Sequence, residues 1–380
     1  MKILFISMPS IHAKRWIDNL QGTNHEIFWF NILNKGTLDS NSNVIQIVDW
    51  QKRKIPKLKG EYFLLKKFPK IFYSIQKYLE VSIDEQITRI LKEINPDVVH
   101  SFEMQSCSYP ILKTMNKFPN LKWIYSCWGS DLYYYQNFKQ DNFKIKKVLK
   151  RVNFLQTDCK RDLLIAKELG FIGVCLDVIP GGTGFKLNEL ANFKKPISDR
   201  KIILVKGYQH QFGRALNVVK ALEEIQNELI DYKIVIFAAH NVIVDYVTKN
   251  NLPFQTFESH SLSHEQVLDL MGQSLIYIGN SISDGIPNTM LESIVMGAFP
   301  IQSNPGGATA EIIINQQNGL LIGNPENTNE IKVLIQLTLS NAINLKNAFE
   351  INQEIASTKL DFYLNQKKVL QIYEFHNSRN

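Results

Sequence analysis

The feature that most constrains this chain is a repeated alternation of short apolar runs and helix-length segments, broken once and then restarted. In the first half, "KILFIS" (2–7), "EIFWFNI" (26–32), "NVIQIV" (43–48), "VVHS" (98–101), "KWIYSC" (122–127), "VNFLQT" (152–157) and "VCLDVIP" (174–180) read as strands. Helical pieces separate them, including one long stretch over roughly 61–94 that ends at "NPD", where proline stops a helix. The stretch 180–201, "PGGTGFKLNELANFKKPISDRK", has three glycines and no periodicity, so it reads as a linker. Strands then resume at 201–207, 232–238, 275–279, 298–302 and 319–322, with helices at 214–230, 241–249, 264–273, 287–296, 308–315 and 328–340. Strands alternating with helices make βαβ units and a parallel sheet. The 380 residues, 44% of them hydrophobic, suffice for two cores. The expected fold is α/β, with two doubly wound Rossmann-like domains facing across a cleft. The expected boundaries are 1–185, a linker at 186–200, 201–357, and a C-terminal helix over 358–380 that can cross back to the first domain.

The stretch 281–300, "SISDGIPNTMLESIVMGAFP", carries the clearest chemistry. A strand delivers the chain to a loop holding Asp284 and Gly285. Pro287 suits a first helical turn, where its missing N–H costs nothing. Gly297 suits the left-handed position that ends a helix. The N–H groups of 288–290 and the positive helix end attract phosphate. Glu292 lies about 7–8 Å along the helix at 1.5 Å per residue, among Met290, Leu291, Ile294 and Val295. An elongated nucleotide-sugar fits this order: hexose near Asp284, diphosphate at the helix start (Pro287, Asn288 and Thr289), ribose diol at Glu292, with Gly285 and Ile286 as further donor contacts. A carboxylate accepts the two hydrogen bonds that vicinal hydroxyls offer. The plainer reading makes Asp284 a turn residue and Glu292 a surface residue, which the apolar neighbours of Glu292 oppose.

The segment from "LSHEQVLDLMGQSLIYIGNSISDGIPNTMLESIVMG" to "NGLLI" resembles the donor-binding half of the retaining GT-B glycosyltransferases of family 4. Their Glu-x7-Glu motif corresponds to Asp284-x7-Glu292, and "NPDVVHSFE" and "CWGSDL" are similar to first-domain elements. The resemblance implies a GT-B fold and transfer of a hexosyl unit from a nucleotide-sugar, UDP favoured, to a hydroxyl of a glycan or lipid-linked glycan. It also implies retention of configuration and a role in bacterial surface polysaccharide synthesis. Many relatives have Gly-Arg and a later Lys at the donor phosphates. Here "VKGYQHQFGR" has Gly207-Tyr208 and Gly213 instead, which leaves Lys206 and Arg214, with Asp284, as the expected catalytic groups. Trp128 stands where many relatives have a His. Rival readings are a nucleotide-sugar epimerase of the same architecture and a two-domain sugar-binding protein.

Residues just past strand ends are the expected acceptor contacts: His12 and Arg15 after the first strand, His100 and Glu103 at the fourth, and Trp128, Ser130 and Asp131 in "CWGSDL". "GGATAE" adds Glu311 as a donor-side candidate. No Asp-x-Asp and no His/Cys cluster with metal spacing occurs, so neither a metal nor another cofactor is expected. The four cysteines are dispersed, as in a reducing compartment, and a cytoplasmic location is expected. The formal charge of +7 is concentrated in 51–80, where nine Lys/Arg and two Glu alternate with Tyr62, Phe63, Phe68, Phe72, Tyr73 and Tyr78. Such a segment suits an anionic membrane surface, on the inner face of the plasma membrane, better than nucleic acid. A solvated helix face with its aromatics in the core is the plain alternative.

Overall fold

The computed structural model describes residues 1–39, 43–340 and 342–374. The chain divides into two compact units, one of Met1–Thr157 and Leu163–Asp177, the other of Asp158–Asp162 and Val178–Asn380.

The first unit carries strands β1 (Lys2–Ser7), β2 (Glu26–Asn31), β3 (Val44–Ile47), β4 (Val98–Phe102), β5 (Lys122–Ser126), β6 (Phe154–Gln156) and β7 (Val174–Cys175). They form one parallel sheet in the order β3-β2-β1-β4-β5-β6-β7. Its helices are α1 (Ile11–Asp18), α2 (Glu61–Lys67), α3 (Pro69–Leu79), α4 (Ile83–Ile94), α5 (Tyr109–Met115), α6 (Ser130–Tyr133) and α7 (Lys139–Leu149). Helix α8 (Lys160–Glu168) follows β6. Ile3 to Ile6 of β1 are fully buried, as expected of a parallel strand covered on both faces.

The second unit repeats the plan. Strands β8 (Ile202–Lys206), β9 (Lys233–Ala239), β10 (Gln255–Glu258), β11 (Ser274–Gly279), β12 (Phe299–Ser303) and β13 (Leu320–Ile322) pair in parallel in the order β10-β9-β8-β11-β12-β13. Its helices are α9 (Leu187–Leu190), α10 (Ala215–Glu224), α11 (Asn241–Lys249), α12 (His264–Gln273), α13 (Asn288–Met296), α14 (Thr328–Leu339), α15 (Leu345–Lys359) and α16 (Phe362–Glu374). Apolar clusters lie on both faces of this sheet. In each unit the strand order reverses beside the first strand, which puts a ligand-binding crevice outside the carboxyl ends of β1 and β4, and of β8 and β11.

The local pattern departs from the sequence reading in places. The single helix expected over 61–94 is three helices. Phe68 precedes Pro69 and leaves the helical region at φ −134°, ψ 59°, because the proline ring clashes with a helical predecessor. Ser82 then opens α4 with a reciprocal capping pair to Glu85. The strand expected at 174–180 is only Val174–Cys175, and the helix expected at 308–315 is one 3-10 turn, Thr309–Glu311. Strand β10 and helix α15 have no counterpart in that reading, and residues 375–380 of the expected terminal helix lie outside the described residues. Among the described residues no helix is long and apolar enough to cross a membrane.

Candidate functional site

The second unit gathers its charged groups at the switch point. Strand β8 ends on part-buried Lys206, and Gly207 follows. A Cβ on Gly207 would stand 2.6 Å from the Ala239 Cα, so only glycine lets β8 leave the sheet beside β9. Burial pulls the Lys206 amine below the ordinary lysine range, while the carboxylates of Asp284 and Glu292 pull it back up. The Lys206 Nζ also sits 4.4 Å from the centre of the Tyr208 ring.

Asp284 lies in the loop after β11. Burial raises its carboxyl above the usual range, and Lys206, the Gly285 N–H at 2.9 Å and Arg161 each oppose that rise. Gly285 rests against Asp158, where a Cβ would come within 2.4 Å of Oδ2. The same oxygen accepts the Ile286 N–H at 3.1 Å. Asp158 Oδ1 is buried with no hydrogen-bond partner among the described residues. Burial, then Asp162, pushes this carboxyl well up. Pro287 caps α13 from an extended conformation and Asn288 begins it. Thr289 is pinned by a 2.8 Å hydroxyl contact with Tyr277 of β11. Glu292 is buried, and its Oε1 lies 2.8 Å from Nε2 of half-exposed His264. A carboxylate accepts only, so Nε2 carries the proton.

Two donor-side candidates have other partners. The Arg214 guanidinium pairs with Glu326 and donates to the carbonyls of His210, Gln211 and Gly213 at 3.1, 3.3 and 2.9 Å. It therefore braces the 208–214 loop instead of facing an open phosphate position. Glu311 accepts the N–H groups of Lys160 and Arg161 at 2.8 and 2.9 Å and caps that backbone. Asp158, Cys159 and Asp162 bring metal-type ligand atoms within 4.8 Å of one another. Asp162, however, already holds the Arg161 guanidinium at 2.7 Å and the Cys159 thiol at 3.1 Å.

Asp158, His264 and a ring cluster were not found from sequence. Tyr208, His210 and His240 lie with ring centres 5.3–5.5 Å apart, past the ends of β8 and β9. Their signal was one strand-end position each: Tyr208 and His210 lie in a segment read for its glycines, Lys206 and Arg214, and His240 follows β9.

In the first unit, the expected acceptor residues separate into two groups. His12 is exposed on α1 and its ring centre lies 5.3 Å from that of Trp128. Arg15 shares that helix, and Ser130 opens α6. His100, Glu103 and Asp131 are instead committed internally. His100 is fully buried, bonded to Ser126 Oγ at 2.7 Å and pushed down to about 3 by burial. Glu103 accepts the N–H groups of Gln105 and Ser106 at 2.8 and 2.6 Å. Burial, then Asp131, raises its carboxyl to about 7. Asp131 accepts from the Tyr125 hydroxyl, the Met104 and Trp128 N–H groups and the Cys127 thiol at 2.6–3.2 Å. These three build the β4 and β5 loop ends.

The two strand orders define GT-B architecture, and solved GT-B glycosyltransferases share it. Sucrose-phosphate synthase from Thermosynechococcus elongatus superimposes with TM-score 0.73 at 14% identity over all of both chains. HepE from Anabaena, solved with UDP and glucose, gives 0.69 at 14% identity, again over all of both chains. A glycosyltransferase from Rickettsia africae gives 0.67 at 18% identity, over all of this chain and 99% of that one. The Glycosyl transferase 4-like family model matches residues 2–159 and the Glycosyl transferases group 1 model matches residues 188–355. No curated protein sequence matches the chain. This chain belongs to the GT-B glycosyltransferases, with a second half of the group 1 family.

Proposed function

We propose that the second unit binds a UDP-sugar across the ends of β8 and β11, and that the enzyme transfers its hexosyl unit, with retention and without a metal, to a hydroxyl of a glycan or lipid-linked glycan. One observation carries this reading: Lys206, at the end of β8 and so at the switch point, stands within the attraction of both Asp284 and Glu292. The first N–H groups of a helix have no intrahelical partner and suit a diphosphate. Asp284 takes hexose hydroxyls and Glu292 takes the ribose diol. Tyr208, His210 and His240 stand on the side of the base. As the C1–O bond breaks, its electron pair leaves on the diphosphate, where Lys206 and the helix amides meet the charge. The acceptor oxygen bonds to C1 on the same face and its proton passes to the departing phosphate oxygen. Binding of UDP or a UDP-sugar analogue by HepE and by the E. coli trehalose-6-phosphate protein supports the choice of nucleotide.

A peripheral position on anionic membrane, suited to surface polysaccharide synthesis, belongs to the same reading. Tyr62, Phe63, Phe68, Tyr73 and Tyr78 are each at least half exposed, against the plain alternative that these aromatics fill the core; in α3 only Phe72 and Leu79 are buried.

The test is a thermal-shift panel of UDP- and GDP-sugars. One UDP-sugar should raise the Tm of the wild type by several degrees, and Glu292→Ala should lose most of that rise. Equal shifts in both proteins would remove Glu292 from the site. The anomeric configuration of the product and activity in excess EDTA check retention and metal independence.

A further inference from the structure

The first unit has a second place at its carboxyl edge where a ligand fits. Ile32 and Leu33 follow β2, Trp50 comes three residues after β3, and Ser82 caps α4; together they border a cavity of about 450 Å³, inside the roughly 300–1,000 Å³ range of ligand pockets. We propose that this cavity is the saccharide site for a lipid-carried acceptor. The proposal rests on the transferase reading above and gives it an acceptor position that sequence reasoning did not name.

The chemistry of the lining selects the ligand. Trp50 and Tyr73 supply aromatic surface, and Gln51, Gln76, Lys77 and Glu80 supply polar groups. Trp50 is locked by its indole N–H on the Asn31 carbonyl at 2.7 Å. Glu80 Oε2 accepts both glutamine amides at 3.0 Å, and Arg53 braces its other oxygen at 3.4 Å. Each amide spends an N–H on Glu80 and keeps its oxygen as an acceptor for a hydroxyl. A purely apolar ligand would cover the two glutamine amide oxygens without offering them a donor, at a cost. A phosphate would meet the Glu80 carboxylate. A neutral polyol with an apolar ring face satisfies both the rings and the amides.

The neighbouring surface adds the lipid. Helix α3 supplies Tyr73, Gln76 and Lys77 to the cavity wall. Helix α2, the joint at Phe68 and the first turn of α3 carry Phe63, Phe68 and Ile71, each at least half exposed, with Lys66, Lys67 and Lys70 between them. A sugar in the cavity therefore has an exposed apolar and cationic strip beside it, onto which an attached chain can run.

The experiment titrates the full-length protein calorimetrically with octyl glucoside, octyl galactoside and octyl mannoside below their micelle concentrations. Octanol and the free hexoses serve as controls. At least one octyl hexoside should bind saturably, tenfold or more tighter than octanol and than its free sugar. Tyr73→Ala and Gln76→Ala should each weaken that binding fivefold or more. Lys66→Glu with Lys67→Glu and Lys70→Glu should reduce co-sedimentation with phosphatidylglycerol vesicles. The UDP thermal shift is measured on every variant. An intact UDP shift with no octyl hexoside preferred over octanol, or with Tyr73→Ala and Gln76→Ala binding as wild type, would overturn the proposal and leave the donor reading standing. A missing UDP shift in the wild type would fail the donor reading on its own terms.

Discussion

The two sheets share a strand order, yet their switch points use polar residues in opposite ways. At β8 and β11 the charged groups face one another across incomplete compensation: Lys206 is held below its ordinary range by burial and tugged upward by two carboxylates. At β4 and β5 the polar residues are consumed. Asp131 alone takes four donors. The same topology thus carries one cluster of charged groups left acting on one another and one scaffold arranged to hold its own loops. A polar residue past a strand end is informative only once its hydrogen bonds are counted.

The largest test of this contrast is Lys206→Ala. If Lys206 meets leaving-group charge, kcat/KM should fall by about 10²–10³, some 3–4 kcal/mol, with the Tm nearly unchanged. A stability loss with activity intact would erase the distinction. The mirror experiment is Asp131→Ala in the first unit. Four donors, three of them buried, lose their acceptor there, and the unit should lose about 3 kcal/mol of stability, read as faster hydrogen exchange of the β4 and β5 amides. Donor binding should survive.

The pH response sharpens the same comparison. Glu103 rises from 4.5 to about 7 on folding, so the folded state holds its proton more tightly. Its contribution is full at low pH and is lost as pH climbs from 4.5 through 7. His100 falls from 6.5 to about 3, so its contribution is full above 6.5 and is lost as pH drops toward 3. Between 4.5 and 6.5 the two slopes oppose and nearly cancel. Glu103→Gln should remove one of them and leave a rise in first-unit stability of at most about 1.4 kcal/mol per pH unit across that window. Hydrogen exchange of β4 at pH 5 and 6.5 checks it. Equal exchange in wild type and variant would deny Glu103 its buried proton.

What could be read from sequence follows from what is local. The 284–297 segment was legible because its turn, cap and apolar stripe are consecutive: Gly297 does take the left-handed conformation, at φ 84°. The two sheets were legible from fully buried runs such as "ILFI" of β1 and "ILV" of β8. The break at Pro69 was written in the sequence, but the apolar periodicity on both sides of it masked it. Asp158 was beyond reach, because its contact with Ile286 spans 128 residues. Likewise the carboxylates of Asp131 and Glu311 look like ligand groups until folding shows which N–H groups they serve.

His264 makes the smallest and most discriminating case. It opens α12 through the Ser263–Gln266 capping pair, so its backbone is fixed whatever its side chain does. Its ring N–H holds one oxygen of Glu292 and leaves the rotamer of a buried carboxylate decided before any donor arrives. His264→Ala removes that bond and leaves the carboxylate in place, and a partly exposed charge-assisted bond is worth about 1 kcal/mol. The donor KM should therefore rise about fivefold with kcat unchanged, since the bond acts equally in the bound and reacting states. His264→Gln, whose amide N–H can reach the same oxygen, should recover part of it. A fall in kcat with constant KM would mean that residue 292 is held for the reacting centre instead of the ribose, and would move the donor along α13.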